Sequence, residues 1–171
     1  MEPQASTRRR HLAGPLLLAV IVFFLDQSAK AMVQETLGPW DKVTVIPGFF
    51  NLVHVLNKGA AFGIFNEAGS SWQTLFFIGA TLLAVCLIGY ILLSTTRRDR
   101  LFLLGLGAIL GGALGNLADR VRLGMVVDYL DFYLGSFHWP AFNVADTAIT
   151  LGALSLLISM YRKEGHASRS H

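Results

Sequence analysis

Carboxylates set into apolar sequence are the side chains of this chain that could do chemistry. Asp146 lies in the first turns of the apolar run FNVADTAITLGALSLLISM, and no basic residue lies within one turn of it. An ionised aspartate in hydrocarbon costs about 3 kcal/mol even on the most lenient scale, so its presence indicates a functional site. Asp128 and Asp131 lie shortly before the run, in VVDYLDF. Either of them, placed beside Asp146, would form a pair of carboxylates.

A pair of neighbouring carboxylates predicts a particular kind of catalysis. Both members cannot stay ionised together, so one holds a proton near neutral pH. The ionised member can then activate water while the protonated member serves a leaving amine, which is peptide hydrolysis without a metal, serine or cysteine. We expect no cofactor and no metal, because His54 and His138 lack a metal-binding spacing such as H-E-x-x-H. Spacing alone does not choose between Asp128 and Asp131.

Four long apolar runs must position these residues. The chain has 171 residues, of which 53% are hydrophobic, and its mean hydropathy is +0.53. Each run is close to the ~20 residues that a helix needs to cross a bilayer. The glycines of GLGAILGGALG, in the third run, predict close packing against neighbouring helices. We therefore predict a single-domain, all-α polytopic membrane protein with four transmembrane helices at Leu12–Val33, Trp72–Leu93, Leu101–Ala118 and Phe142–Tyr161.

The basic residues predict the orientation of these helices. Nine of the 14 lysines and arginines lie in the two termini and in the loop TTRRDR between the second and third runs. The positive-inside rule therefore places the N- and C-termini and this loop in the cytoplasm. Because the net charge of +3 comes from basic residues at loop ends rather than in a patch, we expect no nucleic-acid partner.

Two segments remain on the opposite, non-cytoplasmic side. Residues 41–65 contain β-branched residues and turn signals at Pro47–Gly48 and Asn57–Gly59, which predict a small β-sheet lying on the membrane. The segment Asp119–Ala141 is predicted to be a short loop. The apolar side chains that we expect to close over a bound peptide include Phe49, Phe50 and Phe62.

Polar residues from three of the four predicted helices reach this same side. Asp26 and Lys30 are four residues apart, hence on one helix face, where they can form an ion pair. Asp119 and Arg120 fit charges at the membrane interface. A proton-coupled membrane transporter or channel is the alternative function, but transporters place such acids near the middle of the bilayer, so a layer at one interface favours an enzyme. The full set is Asp26, Lys30, Asn116, Asp119, Arg120, Asn143 and Asp146.

Five sequence blocks resemble lipoprotein signal peptidase, also called signal peptidase II. In the family's order and spacing, they are LDQSAK (Leu25–Lys30), NKGAAF (Asn57–Phe62), GGALGNLADR (Gly111–Arg120), VVDYLDF (Val126–Phe132) and FNVADTAI (Phe142–Ile149). The resemblance implies an aspartyl endopeptidase of the bacterial inner membrane, with four transmembrane helices and a periplasmic β-cradle. It also implies that the substrates are prolipoproteins carrying diacylglycerol on a cysteine, and that cleavage occurs before that cysteine.

The resemblance further implies roles for individual residues. It assigns catalysis to Asp128 and Asp146, a choice that spacing alone leaves open. Ala29 departs from the family, which usually has Ser or Thr there, and we expect this to affect helix packing near Lys30 rather than the chemistry. We also expect a monomer that contacts membrane lipids. The residues matching the family's supporting or substrate-binding positions are Asp26, Lys30, Asn57, Asn116, Arg120 and Asn143.

Overall fold

Helices and a small sheet make up the part of the chain that the computed structural model describes, namely residues 3–59, 71–95 and 99–167. In chain order the elements are α1 (Pro3–Thr36), β1 (Lys42–Ile46), β2 (Phe50–Asn57), α2 (Ser71–Ser94), α3 (Arg100–Leu123), β3 (Val126–Leu134), β4 (Phe137–His138) and α4 (Val144–Ala167).

The prediction of four membrane-spanning helices is confirmed. Within the described residues, four helices are long and apolar enough to cross a membrane: Leu12–Thr36, Trp72–Ser94, Arg100–Leu123 and Val144–Arg162. The third differs from its predicted extent, because α3 continues past Ala118 to Leu123. Asn116, Asp119 and Arg120 therefore lie on one continuous helix.

The central helix of the bundle is α3. It packs against α1, α2 and α4, and 61% of its most apolar window is buried, compared with 11% for α2. Its glycines make this possible, as the sequence predicts. A Cβ on Gly111 would lie 2.5 Å from the carbonyl oxygen of Ala19 in α1, and one on Gly112 would overlap the backbone of Ala145 in α4. The two neighbouring helices thus approach α3 at backbone distance, which small residues permit.

A left-handed glycine ends α3 and turns the chain into the sheet. Gly124 has φ 74°, and its N–H donates to the carbonyl oxygen of Arg120 at 3.0 Å. This is an αL helix cap, which glycine forms without steric cost. The carbonyl of Gly124 also accepts a hydrogen bond from the Thr74 hydroxyl of α2 at 3.0 Å. The turn brings β3 back beside the end of α3.

The sheet has four antiparallel strands in the order β1-β2-β3-β4. The first two strands confirm the predicted β-structure between residues 42 and 57. The rest of the predicted segment, from residue 60 to 65 and including Phe62, lies outside the described residues.

The loop predicted for Asp119–Ala141 is wrong, because most of it is helix end and strand. β3 runs from Val126 to Leu134 and pairs along β2, with Val55 opposite Asp128 and Asn51 opposite Asp131. Two aspartates interrupt the apolar pattern of VVDYLDFYL, so the sequence does not alternate as a half-buried strand does. The strand forms because β2 supplies a backbone partner and both carboxylates find hydrogen-bond donors.

Candidate active site

Asp146 takes part in the cap of its own helix. Asn143 precedes α4, and its Oδ1 accepts a hydrogen bond from the backbone N–H of Asp146 at 2.9 Å. In return, Oδ2 of Asp146 accepts from the backbone N–H of Asn143 at 3.3 Å. This reciprocal pattern is a capping box. The carboxylate of Asp146 therefore lies at the positive end of the α4 dipole, which favours a negative charge there.

Asp128 reaches the same helix end from β3. Its Oδ1 accepts from Nδ2 of Asn143 at 2.8 Å, and its Oδ2 accepts from Nδ2 of Asn57 at 2.9 Å. Asn143 thus binds Asp128 through its amide nitrogen and the backbone of Asp146 through its amide oxygen. Nδ2 of Asn116 donates to Oδ1 of Asp146 at 2.8 Å. The two carboxyl groups, hereafter the aspartate pair, both accept hydrogen bonds from Asn143.

The environment of Asp128 favours its protonated form. Burial raises the pKa of Asp128 to about 7. The hydrogen bonds from Asn57 and Asn143 lower this pKa, whereas the negative charge of Asp146 raises it further. A buried carboxyl with a like charge nearby is expected to retain a proton near neutral pH. The aspartate pair therefore contains a member, Asp128, suited to donate a proton.

A buried ionic cluster supports the aspartate pair from α1 and α3. Nζ of Lys30 lies 2.8 Å from Oδ2 of Asp26, 2.8 Å from Oδ2 of Asp119, and 2.9 Å from Oδ1 of Asn116. These three acceptors use all three N–H donors of the ammonium group. Lys30 is 1% exposed, and none of its N–H donors is left to bind a further group. We call Lys30, Asp26 and Asp119 the Lys30 cluster.

The Lys30 cluster fixes the backbone on both sides of the aspartate pair. Oδ1 of Asp26 accepts from the N–H of Ala145 in α4 at 2.9 Å, next to Asp146. Oδ2 of Asp119 accepts from the N–H of Val127 in β3 at 3.1 Å, next to Asp128. Each carboxylate of the cluster therefore holds the residue that precedes one member of the pair.

Tyr129 completes the hydrogen bonding at the start of α4. Its hydroxyl oxygen accepts from the N–H of Val144 at 3.3 Å. Burial raises the pKa of Tyr129 to about 12, so the hydroxyl keeps its proton at physiological pH. The first three N–H groups of α4 are thus bound by β3, by α1 and by the cap residue Asn143. A helix end held in this way keeps Asp146 in one position.

Arg120 brings positive charge to the same region. Its guanidinium group lies over the ring of Phe77 in α2, 5.2 Å from the ring centroid, and Nη1 donates to the carbonyl oxygen of Asn116 at 3.3 Å. The charges of Asp146, Asp119 and Asp128 attract it. Arg120 therefore offsets part of the negative charge at the aspartate pair while α2 holds its side chain.

Comparison with known proteins shows the family of this chain. The family model described as signal peptidase (SPase) II matches residues 18–162. The chain belongs to the signal peptidase II family. It is 52% identical over 153 residues to the lipoprotein signal peptidase of Maridesulfovibrio salexigens, covering 90% of this chain and 97% of that protein. It is 47% identical over 149 residues to the lipoprotein signal peptidase of Nitratidesulfovibrio vulgaris, covering 85% and 88%.

Two solved structures of bacterial membrane enzymes share the fold of this chain. A bacterial membrane enzyme determined by the in meso method at 2.3 Å resolution superposes with a TM-score of 0.78 and 30% identity, covering 89% of this chain and 90% of that one. A second, determined in the same way at 1.9 Å, gives a TM-score of 0.75 and 32% identity, with coverage of 85% and 91%. The family resemblance predicted from five sequence blocks is therefore confirmed.

All eight site residues that the family resemblance predicts for this chain lie in one connected region of the structure. Asp131 lies outside this region and has partners of its own. Its Oδ2 accepts from Nδ2 of Asn51 at 2.7 Å, and its Oδ1 lies 2.8 Å from Nδ1 of His138. Burial works against ionisation there, but the hydrogen bonds from Asn51 and His138 bring the pKa of Asp131 below its usual value. The residues brought together are Asp26, Lys30, Asn57, Asn116, Arg120, Asp128, Asn143 and Asp146.

Asp119 belongs to the polar layer that the sequence predicts, but not to the supporting residues that the family resemblance implies. The interpretation of Asp119 as an interface charge is wrong, because its side chain is 2% exposed and paired with Lys30. Gln27 was not singled out either, although its Nε2 donates to Oδ1 of Asp119 at 2.9 Å. The spacing of Asp119 three residues after Asn116 was the available signal, because residues three apart share a helix face.

An open cavity gives access to Asp146 in this signal peptidase II fold. Its volume is about 430 Å³. The hydroxyls of Thr147 and Thr150 donate to the backbone carbonyls of Asn143 and Asp146 at 3.0 and 2.8 Å, which leaves the cavity wall mainly apolar. The residues that line it are Trp139, Pro140, Ala141, Phe142, Asp146, Thr147, Thr150 and Leu151.

Proposed function

We propose that this chain is an aspartyl endopeptidase that removes the signal peptide from prolipoproteins, with Asp128 and Asp146 as its catalytic residues. One observation carries the proposal: Asn143 donates hydrogen bonds to the carboxyl groups of both Asp128 and Asp146, and the pKa of Asp128 is about 7. Pairs of carboxyl groups in different environments are a common basis for acid and base roles. The relatives named lipoprotein signal peptidase support the choice of substrate.

The two carboxyl groups divide the chemistry between them. Ionised Asp146 takes a proton from water, whose oxygen attacks the scissile carbonyl carbon, while Asp128 gives its proton to the carbonyl oxygen. The resulting tetrahedral intermediate carries two hydroxyl groups. One of these returns a proton to Asp128 as the carbon–nitrogen bond breaks, and Asp146 passes its proton to the leaving amine. The peptide and water are consumed, and a carboxylic acid and an amine are released.

The supporting residues position groups and do not react. Asn116 and Asn143 hold the carboxyl groups through amide hydrogen bonds, and Asn57 holds Asp128 from β2. Arg120 cannot lose its proton at any working pH, so its role is to attract negative charge and to offer N–H donors to a loop or a substrate carbonyl. Such fixed donors stabilise developing charge without having to reorganise during the reaction.

The transporter alternative is not favoured. Its carboxylates would have to exchange protons and partners along a pathway through the bilayer. Here the members of the Lys30 cluster are buried and already paired with one another, and the aspartate pair lies where α4 meets the sheet. Membership of a peptidase family argues in the same direction.

We place the sheet and the aspartate pair on the periplasmic side of a bacterial inner membrane, with both termini in the cytoplasm. The support is the distribution of lysine and arginine, which gathers in the termini and in the loop between α2 and α3. Arg97 and Arg98 of that loop lie outside the described residues. We propose that the protein works as a monomer among membrane lipids.

Diacylation of the substrate cysteine is expected to be required for efficient cleavage. An acyl chain contributes about 0.8 kcal/mol per CH₂ buried in the bilayer, so two chains hold the scissile bond at headgroup depth beside the aspartate pair. The test compares one prolipoprotein with and without cysteine diacylation, using the purified protein at equal concentration in the same detergent. We expect the unmodified form to be cleaved at least ~100-fold more slowly, since positioning of this kind is worth several powers of ten. Equal rates would contradict a role for the lipid in substrate recognition. Absence of cleavage of both forms would contradict the peptidase activity itself.

Activity is expected to fall as the pH rises above about 7. Asp128 must carry a proton to serve the carbonyl oxygen, and its pKa is about 7. The logarithm of kcat/KM should therefore decrease toward a slope of −1 on the alkaline side. The pH dependence of kcat reports the enzyme–substrate complex, in which a bound peptide further desolvates Asp128 and raises its pKa. The alkaline decrease in kcat should therefore occur at a higher pH than the decrease in kcat/KM. Rates that stay constant from pH 6 to 9, with the protein folded throughout, would contradict a protonated Asp128.

A further inference from the structure

A long apolar groove runs between α1 and α3, away from the aspartate pair. Its volume is about 860 Å³, and one charged residue, Arg122, lies on its lining. None of the proposed catalytic or supporting residues lines it. Lining residues from the two helices include Leu16, Ala19, Phe23, Leu114, Ala118 and Arg122. The small side chains of Ala19 and Ala118 contribute to the hollow.

Arg122 carries a charge that no described acidic residue balances. Within the described part of the chain, Arg122 forms no ion pair. Its Nη1 donates one long hydrogen bond, 3.4 Å, to Oε1 of Gln27. The side chain is exposed and lies in the last turn of α3, on the side of the membrane where the sheet lies. With that single bond among the described residues, the guanidinium group has several N–H donors to present to the headgroup layer.

The length of the groove corresponds to one leaflet. It follows α3 from Leu110 to Arg122, and at a rise of ~1.5 Å per residue this distance is about 18 Å. Half of a hydrocarbon core ~30 Å thick is about 15 Å. The apolar part of the groove therefore extends from the middle of the bilayer to its surface, where the guanidinium group lies.

We infer that this groove is a binding site for an anionic glycerophospholipid of the leaflet nearer the sheet. One acyl chain lies along the groove, and the phosphate accepts hydrogen bonds from the Arg122 guanidinium. The planar guanidinium group matches phosphate geometry and forms charge-assisted hydrogen bonds with it. The inference does not depend on the proposed peptidase activity, because no residue of the groove takes part in that reaction.

The headgroup position is connected to the Lys30 cluster through Gln27. The amide oxygen of Gln27 accepts from Arg122, while its Nε2 donates to Oδ1 of Asp119 at 2.9 Å and to the carbonyl of Gly115 at 3.1 Å. A phosphate on Arg122 would therefore lie one side chain away from the cluster that holds the backbone beside the aspartate pair.

Native mass spectrometry of the full-length protein tests this site. The protein is released from detergent after equilibration with phosphatidylglycerol or with phosphatidylcholine carrying the same acyl chains. We expect one retained phosphatidylglycerol and an affinity about fivefold higher than for phosphatidylcholine, because one arginine near a membrane surface contributes ~1 kcal/mol toward an anionic lipid. Arg122→Gln should abolish this preference. Arg100→Gln, at the other end of α3, is the matched control and should keep it.

Two further measurements separate the contribution of the groove from that of the phosphate. Ala118→Trp fills the groove and should lower the retention of both lipids, whereas glycerol 3-phosphate should not displace the bound lipid, because it lacks the acyl chain. The site is overturned if the wild-type protein shows no preference between the lipids or if Arg122→Gln keeps the preference. Displacement by glycerol 3-phosphate would also overturn it, because the groove would then have no part in binding.

Discussion

Asp128→Asn and Asp146→Asn are each expected to abolish measurable prolipoprotein cleavage while the protein still folds and inserts. Asparagine keeps the size of aspartate but cannot give up or accept a proton in the same way. Losing a general acid or base lowers the rate by roughly 10²–10⁴-fold or more. The measurement is the initial rate of signal-peptide release by purified variants, with thermal unfolding as the check on folding. Near-normal turnover by either variant would contradict the assignment of the catalytic residues.

Asp131→Asn is the matched control for this experiment. It lies on the same strand as Asp128, but its carboxylate binds Asn51 and His138 in the sheet. We expect substantial activity to remain, because no contact links Asp131 to Asp146 among the described residues. A loss as large as that of Asp128→Asn would mean that the strand as a whole, and not the aspartate pair, limits the rate.

Lys30→Met is expected to destabilise the protein strongly and to lower its activity. The substitution leaves Asp26 and Asp119 buried without their cation, at 0% and 2% exposure. Removing one partner of a buried ionic group costs about 3–5 kcal/mol. Because these carboxylates also hold the N–H groups of Ala145 and Val127, disturbing them should displace both members of the aspartate pair. Thermal unfolding and cleavage rate are measured on the same preparation.

A second substitution separates charge balance from other effects at Lys30. Adding Asp119→Asn to Lys30→Met removes one of the two unpaired charges, so the double variant should be more stable than Lys30→Met alone. The two substitutions should therefore be non-additive in the free energy of unfolding. Lys42→Met, on the exposed strand β1, is the control for loss of a lysine and should leave stability within about 0.5 kcal/mol of wild type. A small effect of Lys30→Met, similar to that of Lys42→Met, would contradict the central role of the cluster.

The four membrane helices could be predicted from the sequence because bilayer thickness sets a minimum length for an apolar run. The polar end of α3 could not be predicted in this way. Run length indicated a stop at Ala118, whereas the helix continues because Asp119 and Arg120 find partners on α1, α2 and β3. Hydropathy registers a charge in a helix but not the distant side chain that neutralises it.

The candidate site was predictable by residue type but not by arrangement. The spacing of Asp128 and Asp131 leaves the partner of Asp146 open, because the sequence pattern predicts a loop there. In a strand, residues three apart point to opposite faces, so recognition of β3 would have separated the two aspartates. The spacing of Asp119 and Asn116 indicates a shared helix face, but the burial of Asp119 depends on Lys30, which is distant in the sequence.

The location of the bond that is cut tests the central claim most directly. Purified wild-type protein and a variant carrying both Asp128→Asn and Asp146→Asn are incubated with one diacylated prolipoprotein, and intact masses of all products are measured. We predict that the wild-type protein yields a signal peptide ending immediately before the lipidated cysteine, together with a lipoprotein that begins with that cysteine. The double variant should yield neither product. The same two products from the double variant, or wild-type cleavage at any other bond, would contradict the account.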